Sequence, residues 1–272
     1  MIKNIIYFFD SRKHIIGNYH GSETEKDFLM VAAYSLLCSK HLRTLHPLNI
    51  ILITDQRGIE ILSKIKFMFN EIRIITINDN TKYELFNQNE SFIFIKFDVI
   101  PQSEMPLTLY NSEILLQDIK EDSIHSWNKN FIDNFKHFKN EIKYSDDVFN
   151  EIKSVIGYDK KITTINTGIL GGNNISLLKK YSESILDFKI KNKLDSSFDR
   201  FLETIYSYYF FEINNAKIET VIPKIDVRKK ILSLTERMVY IQLSDRSKKN
   251  KITLASIENI LKLHYPNTYS KL

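Results

Sequence analysis

A single cysteine, Cys38, in 272 residues excludes a disulfide framework and any metal cluster built on several thiolates, and it fits a reducing compartment. Long apolar runs are missing too. Runs such as residues 5–9 and 49–54 are strand-sized, and none approaches the roughly 20 residues of a membrane-crossing helix. No membrane span is expected. No apolar run of signal-peptide length precedes Asp10, so the expected location is the cytoplasm. The motifs GxGxxG, HExxH, GxSxG and GxxxxGK before Ser or Thr are all absent. That removes the usual dinucleotide, zinc-protease, hydrolase-elbow and P-loop chemistries. The histidines show no metal-ligand spacing, and His41 and His46, lying across a helix end, read as surface residues.

Glycine is scarce, at seven residues against a usual share of about 7%. Three of the seven, Gly168, Gly171 and Gly172, stand almost together, which marks backbone that needs positive φ or close approach to another group. Neither sign of charge dominates. Lys and Arg number 38 and Asp and Glu 33, a net +5, and the lysines are spread out apart from residues 228–230 and 246–251. Nucleic-acid binders gather their positive charge on one face, so no such partner is expected, while a local phosphate site stays open.

What is present is an ordinary globular balance, 43% hydrophobic and 26% charged, with enough chain for one large core. Residues 5–9 predict a buried strand ending at Asp10. Ser22 and Glu25 have capping-box spacing, and behind them Phe28, Leu29, Ala32, Ala33, Leu36 and Leu37 recur at helical spacing. Residues 50–53 predict a second strand, followed by the polar turn Thr54-Asp-Gln-Arg-Gly58 and a helix carrying Ile59, Ile61, Leu62 and Ile65. A third strand is expected over 72–77, a short helix over 82–87 and a fourth strand over 92–95. This alternation points to a mostly parallel sheet with helices on both faces, whose ligands sit at the carboxyl ends of the strands. Asp10, Thr54-Asp55 and Lys96-Phe-Asp98 fall at those ends. The second half reads as more helical: helices near Trp127 and Phe135, near Val148 and Val155, from Ile175 to Phe188, and over 198–213, then a strand over 218–221. The aromatic run Tyr206-Ser-Tyr-Tyr-Phe-Phe211 reads as packing material.

Four segments carry a resemblance. Phe92-Ile-Phe-Ile-Lys-Phe-Asp-Val-Ile100 has the shape of a strand running into a DxD-type motif, and Asn166-Thr-Gly-Ile-Leu-Gly-Gly172 looks like an N-x-G-I-x-G-G turn. Thr54-Asp55 with Gly58 is similar to a TD-x-x-G turn, and Gln242-Leu-Ser-Asp-Arg-Ser-Lys248 has the spacing of H-x-x-G-x-x-K. In this order the chain resembles a bacterial branch of the GT-A-fold glycosyltransferases, distantly similar to the glycosyltransferase 8 and 32 groups.

The resemblance implies a single GT-A-like α/β domain over 1–272, with a nucleotide-binding half at 1–100 and an acceptor half at 101–272. It implies transfer of a hexose or related sugar from a nucleotide-diphosphate donor to a glycan or other acceptor. Donor-binding positions carried over are Thr54, Asp55, Lys82, Lys96, Asp98, Asn166, Gly168, Gly171, Gly172 and Lys248. Asp98 and Glu203 are the catalytic candidates, with Asp199 the alternative to Glu203 on the same helix. Residues 166–172 are expected as a turn lining the pocket, where Gly171→Val blocks donor binding in a chain that still folds.

The departures bear on the metal. Lys96 replaces the first DxD aspartate and Gln242 the late histidine, while Asp245 replaces the glycine after it. Magnesium or manganese needs several oxygen donors, so Lys96 and Gln242 disfavour it and no cofactor is expected. Lys96 and Lys248 are expected to neutralise the diphosphate as compact point charges, with Lys96 paired to Asp98 in the empty pocket. The alternative is a non-catalytic GT-A-like protein that binds or assembles.

Overall fold

A computed structural model describes residues 1–15, 18–41, 48–101, 107–122, 162–191, 200–221, 240–242, 248 and 250–272. In chain order its strands are β1 (Asn4–Phe9), β2 (His14–Ile15), β3 (Asn18–Tyr19), β4 (Asn49–Thr54), β5 (Glu71–Ile74), β6 (Phe92–Ile95) and β7 (Val99–Pro101). Then come β8 (Ile114–Asp122), β9 (Ile162–Gly172), β10 (Ile218–Thr220) and β11 (Tyr240–Gln242). The helices are α1 (Glu25–His41), α2 (Gln56–Ile61), α3 (Thr81–Glu84), α4 (Leu107–Tyr110), α5 (Ile175–Lys191), α6 (Arg200–Ile213), α7 (Lys251–His264) and α8 (Pro266–Tyr269).

Among the described residues, seven strands form the central sheet in the order β10-β8-β9-β6-β1-β4-β5. All neighbours are parallel except β9, which runs antiparallel to both β6 and β8. Alternation splits each strand between two cores. Ile5, Tyr7, Phe9, Ile50, Leu52, Ile93 and Ile95 face the layer of α1 and α7. Ile6, Ile51, Ile53, Phe92, Leu116 and Leu170 face the layer of α5 and α6. A parallel strand covered on both faces must be apolar at nearly every position, which is why residues 5–9 and 50–53 read as continuous apolar runs. Tyr7 is fully buried and its hydroxyl bonds Ser39 at 2.7 Å and Ser35 at 3.2 Å. Burial pushes its pKa up to about 12. Ser35 in turn donates to the Val99 carbonyl at 2.6 Å, fixing β7 against α1.

The four expected strands of the first hundred residues are β1, β4, β5 and β6 in one sheet. Helices begin at Ile175 and close at Ile213 as expected, and Phe210 and Phe211 lie in the second core. Two expectations are corrected. The cap of α1 is Thr24, not Ser22: its hydroxyl accepts from the Asp27 N–H at 3.1 Å and meets the Asp27 carboxylate at 2.7 Å. Residues 166–172 are strand, not turn, and belong to β9, eleven residues long. The helices expected near 127–135 and 148–155 lie outside the described residues.

Candidate functional site

At the carboxyl end of β1, Asp10 is buried. It accepts from the Arg12 backbone N–H at 3.1 Å and from the guanidinium at 2.9 and 3.0 Å. Burial alone pushes this carboxyl up, but Arg12 and Lys13 outweigh it and hold the pKa below the ordinary value. Arg12 continues to Asp79 at 3.0 Å, while the ammonium of buried Lys189 bonds the Asp79 carbonyl at 3.2 Å and Asn80 Oδ1 at 3.0 Å. The loop before α3 is thereby tied to the end of β1. Lys82, second in α3, sets its ammonium 5.6 Å from the Tyr83 ring centre.

Next along the rim, the hydroxyl of Thr54 donates to the Phe9 carbonyl at 2.8 Å. Asp55 caps α2 by accepting from Gly58 N–H at 2.8 Å, and its other oxygen takes the Ser11 hydroxyl at 2.7 Å. A Cβ on Gly58 would lie 1.8 Å from Thr54 Oγ1. The TD-x-x-G spacing thus follows from packing β4 against β1, and Thr54 and Asp55 shape the rim through structural bonds.

The centre of the site lies at the end of β6. The backbone N–H of Lys96 donates to the Gly168 carbonyl at 3.0 Å, and its ammonium donates to Thr167 Oγ1 at 3.3 Å. Because β9 runs against β6, residues 166–168 lie at the carboxyl edge of the sheet. Asn166 Oδ1 accepts from Gly168 N–H at 3.0 Å. A Cβ on Gly168 would meet Gln117 Oε1 at 1.9 Å, so glycine here admits the Gln117 side chain. Asp98 is paired with Lys248, Nζ to Oδ2 at 2.9 Å, the two side chains 19% and 7% exposed. The same ammonium donates to the His20 carbonyl at 2.8 Å. The expected Lys96–Asp98 ion pair is therefore replaced by Lys248–Asp98.

His20 lies in the turn that follows β3, between Tyr19 and Ser22, with φ +51. Its ring packs on Phe9 at 4.9 Å and Phe28 at 5.2 Å, with His14 5.6 Å away. Burial first, then His14 and Lys248, pull its pKa down to about 4. Burial also lowers His14. Both rings act as aromatic packing against Phe9 and Phe28.

Lys96, Asp98, Asn166, Gly168 and Lys248 are thus brought together. Gly171 and Gly172 are not. They pair with Ile93 and Phe92, three and four residues back from the level of Lys96, roughly 10 and 13 Å along the strand. A Cβ on Gly171 would lie 2.2 Å from the Phe92 carbonyl oxygen, and one on Gly172, at φ +149, 2.1 Å from that of Glu113. These glycines serve close backbone approach inside the sheet. The side chains of Glu203 and Gln242, and all of Asp199 and Asp245, lie outside the described residues. Thr167, Gln117 and Asp118 were not expected. Asp118 stands opposite Asn166 across a bulge at Gln117, and the sign of it in the sequence is a polar pair interrupting the apolar run of β8.

Among the described residues, the side chains around Asp98 do not make up a divalent-ion shell. Asp98 is neutralised by Lys248 and flanked by Lys96. No group of three or more His, Cys, Asp or Glu gathers among the described residues.

The family model described as Family of unknown function (DUF6734) matches residues 3–272. No curated protein matches in sequence. The crystal structure of the glycosyltransferase GlyE in Streptococcus pneumoniae TIGR4 superposes with a TM-score of 0.50 at 8% identity, covering 100% of this chain and 63% of that one. The apo structure of the bifunctional glycosyltransferase WbbM gives 0.51 at 9% identity, covering 99% of this chain and 51% of that one. The chain thus spans less than two thirds of either. At such identity the likeness is one of fold, and the fold is GT-A-like: a mostly parallel central sheet flanked by helices.

Proposed function

Since the chain belongs to the DUF6734 family, whose function is unknown, we propose a function from the site itself: a glycosyltransferase that moves a sugar from a nucleotide-diphosphate donor to an acceptor hydroxyl, without a divalent metal. The observation that carries it is the meeting of Lys96, Asp98 and Lys248 with residues 166–168 at the carboxyl edge of a GT-A-like sheet.

In the transfer, the bond from the sugar's anomeric carbon to the diphosphate breaks and one to the acceptor oxygen forms. Negative charge grows on the departing diphosphate, and the acceptor loses a proton. A cation already in place lowers that barrier. Lys96 is the cation assigned to the diphosphate: it is half-buried at the rim, and its ammonium donates to Thr167 Oγ1 at 3.3 Å. Asn166 and the backbone of Gly168 border the place of the sugar. Asp98, or Glu203 from α6, receives the acceptor proton. Thr54 and Asp55 keep the rim in shape, Lys82 supplies further positive charge near the Asp10 corner, and Gly171 and Gly172 hold β9 in register.

A second reading, a non-catalytic protein that keeps the pocket for binding, is favoured by one observation. The rim carboxylates Asp10, Asp55 and Asp98 are all engaged, by Arg12, by Gly58 and Ser11, and by Lys248.

Melting curves with UDP and with GDP, with and without EDTA, test both readings. Stabilisation that EDTA leaves intact, together with sugar release from the matching nucleotide sugar, is the expected result. Stabilisation without turnover selects the binding protein, and no response to either nucleotide sinks both. Lys96→Ala should weaken nucleotide binding about tenfold or more, with Lys96→Arg recovering part of it, as befits the loss of a charge-assisted hydrogen bond.

A further inference from the structure

Lys248 is 5% exposed, and the oxygens its ammonium bonds include Asp98 Oδ2 at 2.9 Å and the backbone carbonyl of His20 at 2.8 Å, from distant parts of the chain. The other oxygen of Asp98, Oδ1, is buried and accepts no hydrogen bond among the described residues. A carboxylate and a backbone carbonyl converging on one point are the hard oxygen donors that magnesium, manganese or calcium takes. Here an ammonium stands at that point. His20 can aim its carbonyl there because its backbone is in the left-handed region, φ +51, with its ring anchored on Phe9 and Phe28.

We propose that the Lys248 ammonium is the resident cation of the site, occupying the oxygen cage formed by Asp98 and the His20 carbonyl and so joining the turn after β3 to the end of β6. This deepens the metal-independent part of the function proposed above and rests on it for the ligand. Lys248 is then a positioning residue. It holds Asp98 in place while Lys96 meets the diphosphate, and it closes the place to a divalent ion. Removing the amine leaves a buried carboxylate and a carbonyl with no cation between them, which is a site a divalent ion can enter.

The test is the melting temperature of the full chain in Mn²⁺ alone and in EDTA, with no nucleotide present. Wild type should melt alike in both. Lys248→Met should melt lower in EDTA and rise by roughly 3 °C or more in about 5 mM Mn²⁺. The double variant Asp98→Asn with Lys248→Met should lose that response, because no charge is left to attract the ion. Lys248→Met that melts alike in both media overturns the proposal, as does a wild type stabilised by Mn²⁺. If Lys248→Met does not fold in EDTA, soluble yield on refolding with Mn²⁺ replaces the melting curve: recovery supports the cage and no recovery overturns it. The stabilisation of wild type by UDP or GDP is measured separately, so failure of the nucleotide reading and failure of the cage are told apart.

Discussion

His20 sits where a phenylalanine would pack, between Phe9 and Phe28, and that placement has a pH cost. Its pKa is pulled from the ordinary 6.5 to about 4, first by burial and then by His14, Lys248 and Lys13, with Asp10 opposing. The unfolded chain therefore binds a proton that the folded chain refuses between those two values. Stability is full above pH 6.5 and falls as the pH drops toward 4, by about 3 kcal/mol for this group. Urea unfolding at stepped pH should show the fall, and His20→Phe should flatten it; an equally steep variant would assign the fall to other groups. Gly171 makes the second residue-scale point. Valine there meets the backbone of Phe92 and Ile93 at 2.2 and 2.6 Å, and backbone cannot swing aside. Gly171→Val should lower stability by about 3 kcal/mol, seen as a lower melting point, so its loss of binding would report on folding. The glycine cluster was legible in the sequence as backbone under constraint. Which constraint was not, because a pocket wall and a tight strand pair both ask for a missing Cβ.

At the scale of elements, α1 begins where Thr24 and Asp27 satisfy the first free N–H groups. Thr24→Ala should cost about 1 kcal/mol, measured by urea denaturation, whereas Ser22→Ala leaves the cap untouched. Both Ser22-x-x-Glu25 and Thr24-x-x-Asp27 have the sequence form of a capping box, and only the position of the first helical turn chooses between them. Strand β9 is the larger case. Its residues alternate Thr, Ile, Asn, Thr and Gly with little apolar continuity, so the segment read as a turn. It is a strand because it lies between β6 and β8, which supply partners for its backbone on both sides. Its reversed direction then carries Asn166 to Lys96 and Gly172 away from it.

For the whole molecule, each inner strand faces two cores with alternate residues, so neither helical layer can be removed without exposing the sheet. Calorimetric and van't Hoff enthalpies of the chain should agree, as for a single cooperative unit, and two separated transitions would divide it into independent halves. The order of strands and helices in the first hundred residues was fixed by local pattern alone. Buried parallel strands must be continuously apolar and their covering helices amphipathic, and both leave periodic marks. The polar ends of β1, β4 and β6 were legible for the same reason, since an apolar run has to stop where solvent begins. The tertiary structure decided what those polar groups do. Asp10, Thr54 and Asp55 turned inward to neighbours within the rim, while Asp98 found Lys248, 150 positions away. That pair joins residues far apart in the chain, so tertiary packing and not local pattern settles it.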